Sequence, residues 1–105
     1  MSFKWPNKDP NEILDYSVDW SRWLGANTLS STAWYIDDAA GVKTQVAAGN
    51  SVNGLTHVSS TNTTTVSTIY LGAGTNNLEY KITCAITSSG GTIAERVIKI
   101  KIKEQ

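Results

Sequence analysis

His57 and Cys84 are the two residues whose types most readily do chemistry, and each occurs once in the chain. A histidine base needs a nucleophile and a partner to orient it, and no Gly-x-Ser-x-Gly motif surrounds His57. It reads as a surface or edge-strand histidine. Cys84 falls in phase with Tyr80, Ile82 and Ile86, so it points into a core, where a thiol behaves as a small hydrophobe and not as a nucleophile. One His and one Cys without paired spacing do not make a zinc site. Asp15 and Asp19 share one side of a strand and Asp37-Asp38 sit in a loop. A glycosidase pair or a calcium loop needs more than this, and no EF-hand spacing is present, so they read as a solvated face and as turn residues. Gly72-Ala73-Gly74 lacks the following helix that a phosphate cradle uses. The expectation is therefore a non-enzymatic chain with no catalytic, metal-binding or cofactor-binding residue.

The tryptophans carry more information. Trp20 and Trp34 fit core positions. Trp5, with Phe3 and Pro6, belongs to a proline-punctuated opening stretch, and prolines bias themselves and the preceding residue away from helix. Trp23 stands beside Arg22. Trp and Arg are favoured anchors at protein interfaces, so Phe3, Trp5, Pro6, Arg22 and Trp23 form the candidate interface set. Two other readings stay open: an arm that folds back so that Trp5 caps its own domain, and sugar stacking of the kind seen in carbohydrate-binding sandwiches.

The elements that position these residues follow from composition and period. At 105 residues with nine basic and nine acidic side chains, the chain is one neutral domain. Neutrality gives no electrostatic footprint for a phosphate backbone or an anionic membrane, so neither nucleic acid nor membrane is an expected partner. No apolar run approaches the roughly 18 residues of a bilayer span. The opening residues show no apolar signal-peptide core. A single cysteine excludes an intrachain disulfide. Ser and Thr supply 24 residues against one Phe and one Met, a mixture that favours pleated, half-buried surfaces.

Period-2 runs predict strands over residues 15–20, 28–36, 55–60, 64–71, 78–87 and 93–103, with a short edge strand over 42–46. Trp23-Leu24-Gly25-Ala26-Asn27 reads as a turn, and Ser88-Ser89-Gly90-Gly91 as a hairpin connection. Ile98, Ile100 and Ile102 fall inside the last strand. Lys99, Lys101 and Lys103 fall outside it, where lysines deter edge aggregation. Turn signals roughly every 8–12 residues predict an all-β, immunoglobulin-like antiparallel β-sandwich over residues 13–105, preceded by an extended N-terminal arm over residues 1–12. Trp34 and Cys84 sit where an immunoglobulin-type core has its tryptophan and second cysteine. Tyr80 lies four residues before Cys84 instead of two, so an antibody-type tyrosine corner is not expected.

The run Trp5-Pro6-Asn7-Lys8-Asp9-Pro10-Asn11-Glu12-Ile13-Leu14-Asp15-Tyr16-Ser17-Val18-Asp19-Trp20, followed by Leu24-Gly25, Ser31-Thr32-Ala33-Trp34, Gly54-Leu55-Thr56, Tyr70-Leu71-Gly72-Ala73-Gly74-Thr75, Tyr80-Lys81-Ile82-Thr83 and Ile86 to Thr92 with Arg96, resembles small virion proteins of tailed bacteriophages and prophages. The family is that of the fibre-tail (neck or tail) adaptors with an immunoglobulin-like domain, and the resemblance covers nearly the whole chain. It implies a structural protein of the virion, assembled in the host bacterial cytoplasm in multiple copies and docking onto other neck, tail or fibre subunits. It supplies no catalytic residue. The Asp37-Asp38-Ala39-Ala40-Gly41-Val42-Lys43 loop is longer or more polar than the family pattern. A carbohydrate- or cell-surface-binding module is the alternative reading.

Overall fold

Alternating apolar and polar side chains build strands where the period predicts them. The computed structural model describes residues 2–4 (backbone only), 8–9 and 11–103. Its elements are β1 (Ser2–Lys4), β2 (Leu14–Asp19), the helical turn α1 (Ser21–Leu24), β3 (Leu29–Asp37), β4 (Lys43–Gln45), β5 (Ser51–Val52), β6 (Leu55–Asn62), β7 (Val66–Ala73), β8 (Glu79–Ser88) and β9 (Ile93–Lys101). They form two sheets, β1-β9-β8-β3-β4 and β2-β7-β6-β5, packed as a sandwich. All neighbouring strands are antiparallel except β1, which runs parallel to β9.

Alternation decides which side chains meet between the sheets. Ile36, Ile82, Cys84, Ile98 and Ile100 point inward from the first sheet, and Tyr16, Leu55, Ile69 and Leu71 from the second. Trp20 and Trp34 fill the same core. Fully burying one of the aliphatic side chains is worth roughly 1.5–3 kcal/mol, so this layer supplies most of the driving force for folding. Cys84 sits opposite Trp34 on β3 and Arg96 on β9, buried as its phase requires. Burial pushes its thiol up to about 12, outweighing the lowering contributions of Ser67 and Trp20.

Several local features differ from the sequence-based expectation. Ser51–Val52 is a strand rather than loop, paired to Leu55 and Thr56. Its turn is Asn53-Gly54, with φ of 51° and 86°, the left-handed backbone that Asn-Gly hairpins use. Residues 21–24 make one helical turn within what reads as a simple reversal. The strand expected from residue 64 begins at Val66, because the Thr63 hydroxyl accepts hydrogen bonds from the N–H groups of Thr65 and Val66 and turns the chain there.

His57 is the main correction. It is buried, not at the surface or on an edge, and its Nδ1–H donates to the Val46 carbonyl at 3.0 Å. The loop after β4 wraps over it: the Gly49 N–H donates to the His57 carbonyl at 2.7 Å, and the His57 N–H donates to the Asn50 carbonyl at 2.9 Å. A loop covering a strand from the side leaves no mark in the strand's own alternation.

Candidate docking surface

Three connections converge at one end of the sandwich: residues 20–28 between β2 and β3, 63–65 between β6 and β7, and 89–92 between β8 and β9. Backbone hydrogen bonds tie them together, from Trp20 N–H to Thr65 O (2.8 Å), Leu29 N–H to Thr64 O (2.8 Å) and Ser89 N–H to Thr28 O (2.8 Å). The Ser89 hydroxyl returns a bond by accepting the Thr28 N–H at 3.1 Å. Loop tips held this tightly to a scaffold present their side chains at fixed positions.

Trp20 lies between β2 and α1 at the N-cap position of the helical turn, and its carbonyl accepts the Leu24 N–H at 2.9 Å. The Asp19 carboxylate accepts the Ser21 N–H at 2.9 Å, which starts the turn and lowers the pKa of Asp19. One helical turn then drops Leu24 into the core and leaves Arg22 and Trp23 on the outside. The ring of Trp23, 36 % exposed, stands edge-on to buried Trp20, with centroids 6.0 Å apart and planes at 74°. Arg96 from β9 lies 5.0 Å from the Trp20 ring centroid, a cation–π contact. Exposed Ile93 begins β9 at the same end. The surface is a partly exposed indole on a rigid base, with two guanidinium groups in the surrounding elements.

The arm lies elsewhere. Ser2, Phe3 and Lys4 pair with Val97, Ile98 and Lys99 of β9, and Lys8 bridges to Ile102, so this part of the chain runs along its own sheet away from Trp23. Phe3 is described by its backbone alone, and Trp5 and Pro6 lie outside the described residues. The structure thus joins Arg22 with Trp23 but does not bring the described arm residues to them.

Lys8 is what the sequence reading missed. Its N–H donates to Lys101 O and its carbonyl accepts from Lys103 N–H, at 3.0 and 2.8 Å. Its side chain is fully buried, and the ammonium donates to the carbonyls of Asp9 (2.8 Å) and Ala73 (2.6 Å). Burial pushes its pKa below the usual lysine value, against the opposing pull of Glu12 and Asp9. Lysine is almost never fully buried without partners, and only the fold reveals the carbonyls that satisfy this one. Lys8→Met keeps the stem but strands two carbonyls, so it should cost about 1–3 kcal/mol, read as a lower urea midpoint at unchanged m. An unchanged midpoint would mean that the ammonium holds nothing.

The opposite end carries a cleft of about 280 Å³ lined by Asp37, Asp38, Asn53, Glu79, Tyr80 and Lys81 among others. The Asp38 carboxylate is engaged by the N–H groups of Ala40 and Val42, both at 2.9 Å, as a turn residue. The Tyr80 hydroxyl donates to Asn53 O at 2.7 Å and accepts the Thr75 N–H at 3.0 Å, tying β8 to the β5–β6 turn of the other sheet. Asp15 and Asp19 are both exposed on the outer side of β2. Among the described residues no group of three or more His, Cys, Asp or Glu side chains is placed to hold a metal ion, and no helix is long and apolar enough to cross a membrane.

No curated protein matches the chain. A family model, described as podophage GP4 fiber-tail adaptor protein gp77, matches residues 8–101, from the buried lysine to the end of β9. The chain belongs to this family of phage fibre-tail adaptors, and its role is structural.

Proposed function

We propose that the chain is a non-enzymatic adaptor at the neck or tail of the particle. It is present in multiple copies, is assembled in the host cytoplasm, and joins fibre to tail or head to tail by docking onto neighbouring virion subunits. The family match over residues 8–101 carries this reading. Neither nucleic acid nor membrane is among the proposed partners. The proposed contact residues are Arg22 and Trp23 at the loop end and Phe3, Trp5 and Pro6 on the arm. An indole half-seated on a buried tryptophan loses little conformational freedom on binding, the property that makes Trp an interface anchor. The strand order supports an immunoglobulin-like description, since β9, β8 and β3 with β4 match a G-F-C-C′ sheet and β2, β7 and β6 match B-E-D.

The test is complementation of a phage lacking the gene, with adaptor occupancy measured per purified particle. Trp23→Ala with Arg22→Ala should leave the isolated domain folded, because both side chains are exposed. Occupancy should fall by roughly 30-fold or more, as expected for a hot spot worth at least about 2 kcal/mol. Trp5→Ala tests the arm in the same way. It is a better probe than truncation at Asn11, which would also remove the Lys8 lock. Full occupancy with every variant would overturn the assignment of these contacts. A Trp23 fluorescence shift on adding bacterial surface glycans, with occupancy unchanged, would favour the carbohydrate-binding alternative.

A further inference from the structure

Among the described residues, the second sheet ends in an unpaired edge. The Trp20 N–H donates to Thr65 O, next in register after Asp19 opposite Val66, so the even-numbered residues of β2 direct their N–H and C=O groups toward β7. The backbone groups of Asp15, Ser17 and Asp19 consequently face away from the sheet, and no strand among the described residues pairs there. The described arm runs beside β9 on the other sheet and does not cover this side. Proteins blunt such edges with charged side chains, lysine above all, and with proline, bulges or very short strands. The first sheet has edge strands of three residues each, and the far edge of the second sheet has a strand of two. β2 runs for six residues in unbroken register with β7, with neither lysine nor proline.

Charge narrows the occupant. The only charged side chains in the strands of the second sheet are Asp15 and Asp19; Lys and Arg are absent from all of them. Two copies of β2 pairing antiparallel through all three outward residues would set Asp15 against Asp19 twice, with Ser17 against Ser17. Like charges directly opposite are destabilising, so the edge is built against self-association. A foreign strand with Lys or Arg at those two places meets no such penalty. Leu14 and Val18 are half-buried beside Tyr16, and they leave apolar surface for the alternate residues of an added strand.

We infer that the β2 edge accepts an extended segment of a different protein by strand addition, one with basic residues four apart and apolar residues between them on the opposite face. The inference deepens the adaptor reading by naming the kind of partner, but its test needs no particle.

The probe is a synthetic peptide of residues 13–20 with Asp15→Lys and Asp19→Lys, added to the isotope-labelled full chain. Amide exchange at Asp15, Ser17 and Asp19 should slow by at least about tenfold, while the even-numbered amides of β2 are already slow in the free protein. The unsubstituted peptide should bind at least about tenfold more weakly, and salt should narrow the difference. Ser17→Pro in the protein removes an outward N–H and none of the β2–β7 backbone bonds, losing only the exposed hydroxyl contact of Ser17 with Thr68, so it should abolish binding and leave the fold intact. Independently, Asp15→Lys turns both repulsive self-pairs into ion pairs and should produce a dimer by light scattering where the parent chain forms none through this edge. Slow exchange of the three outward amides in the free protein would overturn the inference. So would a peptide that leaves them unmoved together with a monomeric Asp15→Lys variant. Either result would leave the particle-occupancy experiment above unaffected, so the two readings fail separately.

Discussion

Replacing Trp20 by alanine should cost about 3–5 kcal/mol, the range for emptying a buried large aromatic position, and lower Tm by at least about 12 °C. Trp20 is 1 % exposed and is touched from three directions: by the core, by the edge of Trp23 and by the Arg96 guanidinium. The core around it is held by both sheets and cannot collapse into the space, so transfer and cavity costs add. For a domain of this size, total stability is about 5–15 kcal/mol, and the variant sits near the threshold of folding. Denaturant unfolding would show the midpoint falling at constant m. The same substitution at Trp23, half in solvent, should cost far less. Equal losses at the two positions would show that the surface indole is as structural as the buried one, and would weaken its assignment as a docking residue.

Alkaline unfolding should be steep and should depend on Cys84. An unfolded thiol ionises near 9.0, whereas burial holds the folded thiol protonated to about 12. Above pH 9 the unfolded chain therefore loses this proton first, and stability falls as pH rises. The contribution is complete below pH 9 and is lost between 9 and 12, at up to about 1.4 kcal/mol per pH unit. Tyr16 adds a slope of the same sign above its ordinary value of 10.0, since burial, Glu12 and Asp15 raise it to about 12. Lys8 works in the opposite direction: its folded pKa is depressed, so the folded state gives up that proton first and gains stability as pH approaches 10.5. A comparison with Cys84→Ala isolates the thiol. The variant should start lower near neutral pH, because it opens a small cavity, and then fall less steeply above pH 9. Parallel curves for the two proteins from about pH 8.5 to 10.5 would show that the thiol ionises without unfolding the chain.

Both effects could be anticipated from alternation, because a side chain's phase in a strand is set by the backbone pleat alone. Tyr80, Ile82, Cys84 and Ile86 had to share a face whatever the sheet packed against, and Trp34 and Ile36 likewise. The sandwich, its hairpin at Ser88 to Gly91 and the helix-poor character follow from the same local rule. The Asn53-Gly54 hairpin did not emerge from the alternation, because the two-residue strand before it is too short to register as a period.

What the sequence by itself determined was the class, the core faces and the candidate tryptophans, because these depend on neighbours within a few residues. What only the tertiary structure decided was every contact made from outside a strand. His57 is polar enough to read as a surface residue, yet it shares the inward phase of Leu55, and a loop eleven residues earlier in the chain supplies its hydrogen-bond partner and its cover. Lys8 looks like a solvated charge, but a carbonyl 65 residues away takes its proton donor inside. The arm's neighbour was likewise undetermined, since an extended segment can satisfy its backbone on either sheet with the same residues. Among the described residues, Ser2–Lys4 pair with β9 of the first sheet and none pairs with the outer side of β2. Such decisions rest on loop closure and on which unsatisfied carbonyl lies within reach, quantities that no local pattern of residue types encodes.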